Sequence, residues 1–163
     1  TVTASNSATV DLTTTFDSTY DTYVITCTNV VPASDNVDFL LRTQDSGTFR
    51  TGAYTGNHLY IHPSNQNTGN ENAYTAAILL GRQLGNASNE QGRFIVNIDG
   101  PSSTRAKPIW AQGSYMKYDH VVQGGFAVGL SGTSYAAITG IRFLMSSGNI
   151  SSGTFRLYGV AKS

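Results

Sequence analysis

The sequence predicts an all-β protein, an antiparallel β-sandwich with a jelly-roll-like arrangement, and three observations support this. Charged residues make up only 12% of the 163 residues, whereas helical proteins are richer in Glu, Lys, Leu and Ala. Apolar and polar residues alternate in many short runs, the period of a strand with one face on a core. Turn-forming residues separate these runs at the spacing typical of sandwiches and barrels. A chain of this length is expected to form one domain, residues 1–163.

The first third of the chain contains three runs with strand alternation, at residues 8–16, 23–31 and 37–43. Pro32 is expected to end the second run, because proline donates no ladder hydrogen bond. The side chains predicted to point inward are Val10, Leu12, Tyr23, Ile25, Cys27, Val37, Phe39 and Leu41. Cys27 is the single cysteine, so it forms no internal disulfide and is expected to act as a small apolar residue in the core.

The middle of the chain is the least regular part. It contains a short predicted strand at residues 58–62 and then a polar loop at residues 63–72, and loops of this length often carry function. A helix competes with a strand over residues 74–84, since Asn72 could cap it and apolar residues recur at helical spacing. We predict a strand there, because the alternating run at residues 93–99 follows at hairpin spacing.

The last third is predicted to add strands at residues 109–118 and 125–130, followed by a terminal β-hairpin. Its arms are residues 141–145 and 155–158, joined by the polar run SSGNISSG. The arms are predicted to bury Phe143, Met145, Phe155 and Leu157 against Ile25, Phe39 and Leu41. The whole chain is then expected to contain about eight to ten strands.

The same terminal stretch carries a resemblance to a known family. The run IRF-x-x-SSGNI-x-SGTFRLYG, residues 141–159, resembles a β-sandwich module of tailed-bacteriophage virion proteins, found in tail fibres and related appendages. Residues 23–49 and 92–101 are similar to the opening hairpin and a middle strand of such modules. The resemblance implies a non-enzymatic structural or adhesive part of a virion, such as a tail fibre, spike or capsid-surface appendage. It also implies a homo-oligomer, expected to be a homotrimer, with other virion proteins as partners and a host receptor such as a cell-surface glycan as a further candidate.

A carbohydrate-binding module of a larger secreted protein is the alternative, because a sandwich with exposed aromatic residues suits both functions. The candidate ligand or receptor contacts are Tyr54, His58, Tyr60, Trp110 and Tyr115, aromatic side chains of the kind that form sugar-stacking platforms. A core position is the more common role for a tryptophan such as Trp110, which closely follows Pro108. The loops at residues 64–71 and 146–152 are further candidates for receptor contact.

No enzymatic activity and no cofactor are predicted. The sequence lacks a G-x-S-x-G nucleophile elbow and a phosphate-binding glycine loop, and no pair of carboxylates stands out for glycoside hydrolysis. His58 and His62 lie four residues apart, about 13 Å along a strand, which is too far for one metal ion to bind both. We therefore predict no metal site.

The distribution of charge leaves two interpretations open. The net charge is zero, so no long-range field attracts nucleic acid or an anionic membrane, and no apolar run is long enough to span a bilayer. We predict neither a nucleic-acid partner nor membrane insertion. Acidic residues predominate in the first 45 positions and basic residues after Pro101. Either the two ends pair within one chain, or surfaces of opposite sign meet between subunits.

Overall fold

Backbone hydrogen bonding between strands accounts for the regular structure of this protein. The structure, a computed structural model, describes residues 1–13, 16–61, 68–71, 75–131 and 135–162, and the side chains of all of these except 68–71 and 131. The described residues contain thirteen strands and no helix, hence no helix that could cross a membrane. The strands are β1 (Val2–Ser7), β2 (Val10–Leu12), β3 (Thr22–Pro32), β4 (Val37–Asp45), β5 (Thr48–Phe49), β6 (Tyr54–Ile61), β7 (Thr68–Glu71), β8 (Ile78–Leu84), β9 (Gly92–Asp99), β10 (Ile109–Met116), β11 (Val122–Ser131), β12 (Gly140–Met145) and β13 (Ile150–Val160).

The strands form two antiparallel sheets that pack face to face. The larger sheet has eight strands in the order β1-β13-β3-β9-β10-β11-β6-β7. The smaller sheet has the order β2-β12-β4-β5, and β8 also pairs with β4. Because side chains alternate along each strand, one face of each sheet lies on a shared core and the other faces solvent. The predicted antiparallel β-sandwich is confirmed.

Four phenylalanine rings, two from each sheet, meet at the centre of the core. Phe39 and Phe143 come from the smaller sheet, and Phe94 and Phe155 come from the larger sheet. The ring centroids of Phe143 and Phe155 are 5.0 Å apart, and those of Phe39 and Phe94 are 4.9 Å apart. All four side chains are at most 2% exposed. Aromatic pairs at this separation add attraction beyond the area they bury, so this cluster joins the two sheets.

The predicted terminal hairpin is wrong, although its burial pattern is mostly right. β12 pairs with β2 and β4 in the smaller sheet, whereas β13 pairs with β1 and β3 in the larger one. The chain therefore crosses between the sheets within residues 146–149. Phe143, Met145 and Phe155 are buried as predicted, and Leu157 is half-buried. Two amphipathic strands joined by a polar segment give the same sequence pattern whether they pair or face each other across a core.

Several element boundaries also differ from the sequence-based prediction. β8 confirms a strand where a helix competed, while residues 72–74, at the start of that competing helix, lie outside the described residues. The predicted loop at residues 64–71 is described only from residue 68, where β7 pairs with β6 as a strand. The candidate loop at residues 146–152 is shorter than predicted, since β13 begins at Ile150.

Two ion pairs join the acidic first part of the chain to its basic last part. Arg142 donates hydrogen bonds of 2.8 and 2.7 Å to the two carboxylate oxygens of Asp11, from directly opposite positions on β12 and β2. The Lys162 Nζ atom lies 3.2 Å from a carboxylate oxygen of Asp21. These charges are therefore matched within one chain, which favours the first of the two interpretations of the charge distribution.

Candidate functional site

The outer face of the eight-stranded sheet carries aromatic and aliphatic side chains that the core does not use. β10 illustrates how the sequence creates this face. Ile109, Ala111 and Tyr115 are buried against the core, while Trp110 and Gln112 alternate with them and point outward. The same alternation in β6, β9 and β11 produces one continuous surface, because these strands are hydrogen-bonded neighbours.

One side of this face, formed by β6 and β11, is apolar. We call it the apolar half, and its side chains are Leu59, Ile61, Val122, Phe126 and Val128, with exposed fractions of 40–61%. Phe126 lies directly opposite Leu59 in the β11–β6 register, so the side chains form neighbouring rows. Contiguous apolar surface of this kind is typical of a contact with another macromolecule.

The other side, formed by β3, β9 and β10, contains an open cleft of about 510 Å³. We call it the polar half, and its outward lining side chains are Thr26, Thr28, Arg93, Ile95, Gln112 and Ser114. Arg93 lies directly opposite Ser114, and Ile95 lies directly opposite Gln112. Gly124, on the other side of Ser114, adds no side chain to the face, and this leaves the cleft open.

Trp110 lies at the boundary between the two halves. Its indole stacks on the ring of Phe126, with centroids 5.9 Å apart and planes at 25°. Asn97, directly opposite Trp110 on β9, is only 9% exposed although it belongs to the outer face. Trp110 is therefore a half-buried surface residue rather than a core anchor.

The other predicted contact residues lie on the inner face of the large sheet. Tyr54 and Tyr115 are buried, and each hydroxyl accepts a hydrogen bond from a backbone N–H, that of Thr43 at 2.8 Å and that of Arg82 at 2.9 Å. Burial raises the pKa of Tyr115 above its ordinary value. His58 is buried, and Tyr60, two residues along, is half-buried on the same side. These side chains support the sheet from within, and Trp110 alone among the five predicted residues lies on the outer face.

Sequence reasoning missed Arg93, Gln112, Ser114 and Phe126, which share the outer face of the large sheet with Trp110. A signal for the first three was present, because each is a polar residue at the outward position of a predicted strand. What the alternation could not show is that β9 and β10 are neighbours with Arg93 opposite Ser114. That pairing is what turns separate polar positions into a cleft.

Two side chains away from the outer face, Cys27 and Glu90, could be reactive in other surroundings but have structural roles here. Burial raises the pKa of the Cys27 thiol well above its ordinary value, which disfavours the nucleophilic thiolate. The buried Glu90 carboxylate accepts a 2.8 Å hydrogen bond from the Ala87 N–H and lies 2.9 Å from His120 Nδ1, so it holds a turn together. Within the described ranges, no three His, Cys, Asp or Glu side chains lie close enough to hold a metal ion. His62, the partner considered for His58, lies outside the described residues.

His58 is fully buried, and neither ring nitrogen has a hydrogen-bond partner in the described part of the chain. Burial lowers the pKa of its imidazole to about 4; nearby Asp38 opposes this shift and Arg82 adds to it. The backbone of Leu80 also favours the charged form, but it lacks the geometry of a hydrogen bond. Gly125 makes room for the ring, because a Cβ atom there would lie 2.6 Å from His58 Nε2.

We expect this buried imidazole to make stability depend on pH. In the unfolded chain a histidine titrates near its ordinary pKa of 6.5, so between about pH 6.5 and pH 4 the unfolded state binds a proton that the folded state does not. The contribution of His58 to stability is therefore complete above this window and decreases through it as the pH falls, by roughly 3 kcal/mol in total. Urea unfolding at neutral pH and at about pH 4.5 measures this loss in the wild type and in His58→Leu. The variant should lose less stability than the wild type, and equal losses would show that His58 is not responsible.

Comparison of the sequence with models of protein families finds no match, and comparison with curated proteins finds none either. The two halves of the outer face, with Trp110 between them, are therefore the basis for a functional proposal.

Proposed function

We propose that this chain is a non-enzymatic structural or adhesive module of a tailed-bacteriophage virion, carried on a tail fibre, a spike or a capsid-surface appendage. The observation that carries this proposal is the outer face of the eight-stranded sheet, which offers a broad surface for contact with other macromolecules. The phage context is supported by the resemblance of residues 141–159 to virion modules. Other virion proteins are the expected partners.

The apolar half is the proposed contact between subunits of a homotrimer. Leu59, Ile61 and Phe126 are large apolar side chains in adjacent rows, and covering them removes apolar surface from water. The ion pairs between the two chain ends are internal, so charge pairing between subunits is not needed for this assembly. For a permanent interface, burial of apolar surface is a stronger driving force than pairing of charges.

We expect Ile61→Asp to prevent assembly without unfolding the subunit. Ile61 is 61% exposed, so a carboxylate there is solvated in the free subunit but would be buried unpaired at an interface. Light scattering at micromolar concentration should give a trimer mass for the wild type and a monomer mass for the variant. The variant should still unfold in one cooperative transition, at a lower melting temperature than the wild type because it lacks the stabilisation from assembly. Val160→Asp is the matched control, because Val160 is an exposed apolar residue of the same sheet outside the apolar half. A monomeric wild type would exclude the trimer.

The virion assignment is tested on particles. An antibody against the chain should label purified particles of the phage that encodes it at a fixed position on an appendage, and mass spectrometry of those particles should detect the chain. Particles that lack the chain would overturn the assignment.

A carbohydrate-binding module of a larger secreted protein is a second candidate, and the open cleft on the same sheet face as Trp110 is the observation that favours it. This candidate needs no self-assembly. A wild-type protein that binds glycan as a monomer and is absent from particles would fit the second candidate rather than the first.

A further inference from the structure

The charged side chains at the cleft of the polar half are positive. On the outward faces of β3, β6, β9, β10, β11 and β13 the charged side chains are Arg93, Arg156 and Asp99. Asp99 lies at the far end of β9, six residues or about 20 Å from Arg93, and it is already hydrogen-bonded there. Arg156, on β13, donates a 3.4 Å hydrogen bond to the Thr28 hydroxyl at the edge of the cleft. Among the outward residues of these six strands, the cleft thus presents guanidinium groups with no carboxylate beside them.

The hydrogen-bonding groups of the cleft are available to a ligand. The side chains of Arg93, Gln112 and Ser114 have no hydrogen-bond or ion-pair partner within the part of the chain that the structure describes. A carboxamide and a hydroxyl can both donate and accept hydrogen bonds, which suits a ligand rich in hydroxyl groups. A guanidinium can donate two parallel hydrogen bonds to a carboxylate.

Trp110 adds an aromatic surface on the same strand as Gln112 and Ser114. It lies four residues from Ser114 on β10, about 13 Å along the strand, and Arg93 is directly opposite Ser114. A ligand that contacts both the indole and the guanidinium must span this distance, which exceeds one sugar ring. The site therefore fits an oligosaccharide better than a monosaccharide.

We propose that the polar half binds a carboxylate-bearing oligosaccharide, with Arg93 holding the carboxylate, Gln112 and Ser114 bonding the hydroxyls, and Trp110 stacking on a neighbouring sugar ring. This proposal rests on the adhesive role proposed above and names the chemistry of the receptor. The apolar half remains free for contact between subunits, so assembly and ligand binding use different side chains of the same face.

Two other occupants fit less well. Single-stranded nucleic acid also stacks on aromatic side chains, but it is normally bound along a continuous cationic groove. Here the whole chain has a net charge of zero, and the cleft has Arg93 within it and Arg156 at its edge. A second copy of the chain would cover the apolar half in preference to a cleft where hydroxyl, amide and guanidinium groups surround the single outward aliphatic side chain of Ile95.

The first experiment uses an array of bacterial oligosaccharides in which each carboxylate-bearing member is paired with its carboxyl-reduced form, and an oligothymidylate is included. Wild-type protein should bind carboxylate-bearing members at least about tenfold more tightly than their reduced forms, because a charged hydrogen-bonded pair is lost on reduction. Trp110 is the only tryptophan of the chain, so tryptophan fluorescence should change during a titration with a bound member. Binding to no carboxylate-bearing member, equal binding to the reduced forms, or tighter binding to oligothymidylate would overturn the proposal.

Variants then locate the site. Arg93→Gln and Trp110→Ala should each weaken binding of the selected oligosaccharide by about tenfold to hundredfold. Arg105→Gln, which removes the same charge from an exposed position outside the cleft, should bind as the wild type does. Unchanged binding by Arg93→Gln would refute the assigned role. Ile61→Asp separates the two proposals, because it should abolish the trimer yet leave the affinity of each subunit for the oligosaccharide unchanged.

Discussion

Phe143→Ala should lower the free energy of unfolding by about 3–5 kcal/mol, the range measured for removing a buried phenylalanine ring. Phe143 has no exposed surface, and its ring contacts those of Phe39 and Phe155 at centroid distances of 5.6 and 5.0 Å. Truncation leaves a cavity between the two sheets, where the neighbouring rings can relax only in part. For a domain of this size the melting temperature should fall by about 6–20 °C.

Phe126→Ala is the matched control for this prediction. It removes the same ring, but Phe126 is 41% exposed on the outer face and contacts the half-buried Trp110. We expect its effect on the free energy of unfolding of the free subunit, measured in the Ile61→Asp background, to be below about 1.5 kcal/mol, because much of the ring is in water when the apolar half is uncovered. Chemical denaturation of both variants measures the difference. Equal effects would mean that Phe143 does not join the sheets as described.

Gly113→Ala should destabilise the protein by about 1–3 kcal/mol, the usual effect of overpacking a core. The ring of Phe94 lies across the inner face of Gly113, its partner in the β9–β10 register. A Cβ atom on Gly113 would lie 2.7 Å from Phe94 Cε1 and 3.0 Å from the Arg93 carbonyl oxygen, so either the ring or the backbone must move. The ring has little room, since Cβ atoms at Gly81 and Gly92 would also lie within 3.0 Å of it.

Gly124→Ala makes the same change on the neighbouring strand with the opposite expectation. A Cβ atom there faces outward and meets nothing closer than the Gly113 carbonyl oxygen at 3.9 Å. Its effect should be neutral or slightly stabilising, because alanine loses less backbone entropy than glycine on folding.

In the background of Phe94→Leu, Gly113→Ala should become less destabilising, since the smaller side chain can move away. Additive effects of the two substitutions would contradict the proposed clash.

The sequence by itself determined the class of fold and, for most strands, which side chains point inward. Alternation alone placed Ile25, Phe39 and Phe143 in the core, and it placed Cys27 there as well. These results follow from local geometry, because side chains two apart on a strand share a face whatever the strand pairs with. β8 was predicted as a strand for another reason, its hairpin spacing from the run at residues 93–99. It is a strand, but it pairs with β4 in the smaller sheet and not with β9.

Only the tertiary structure decided which strands are neighbours, and that decided the candidate site. The sequence pattern cannot distinguish a hairpin from two strands in facing sheets, so the separation of β12 from β13 was not predictable. The pattern also left open whether the Trp110 side chain points toward the core or toward solvent. That is decided only by the pairing of β10 with β9 and β11. Strand pairing depends on contacts between residues far apart in the chain, such as Asp11 with Arg142, and a local period carries no information about them. The cleft that Thr26 of β3 and Arg93 of β9 line together exists because of that long-range pairing.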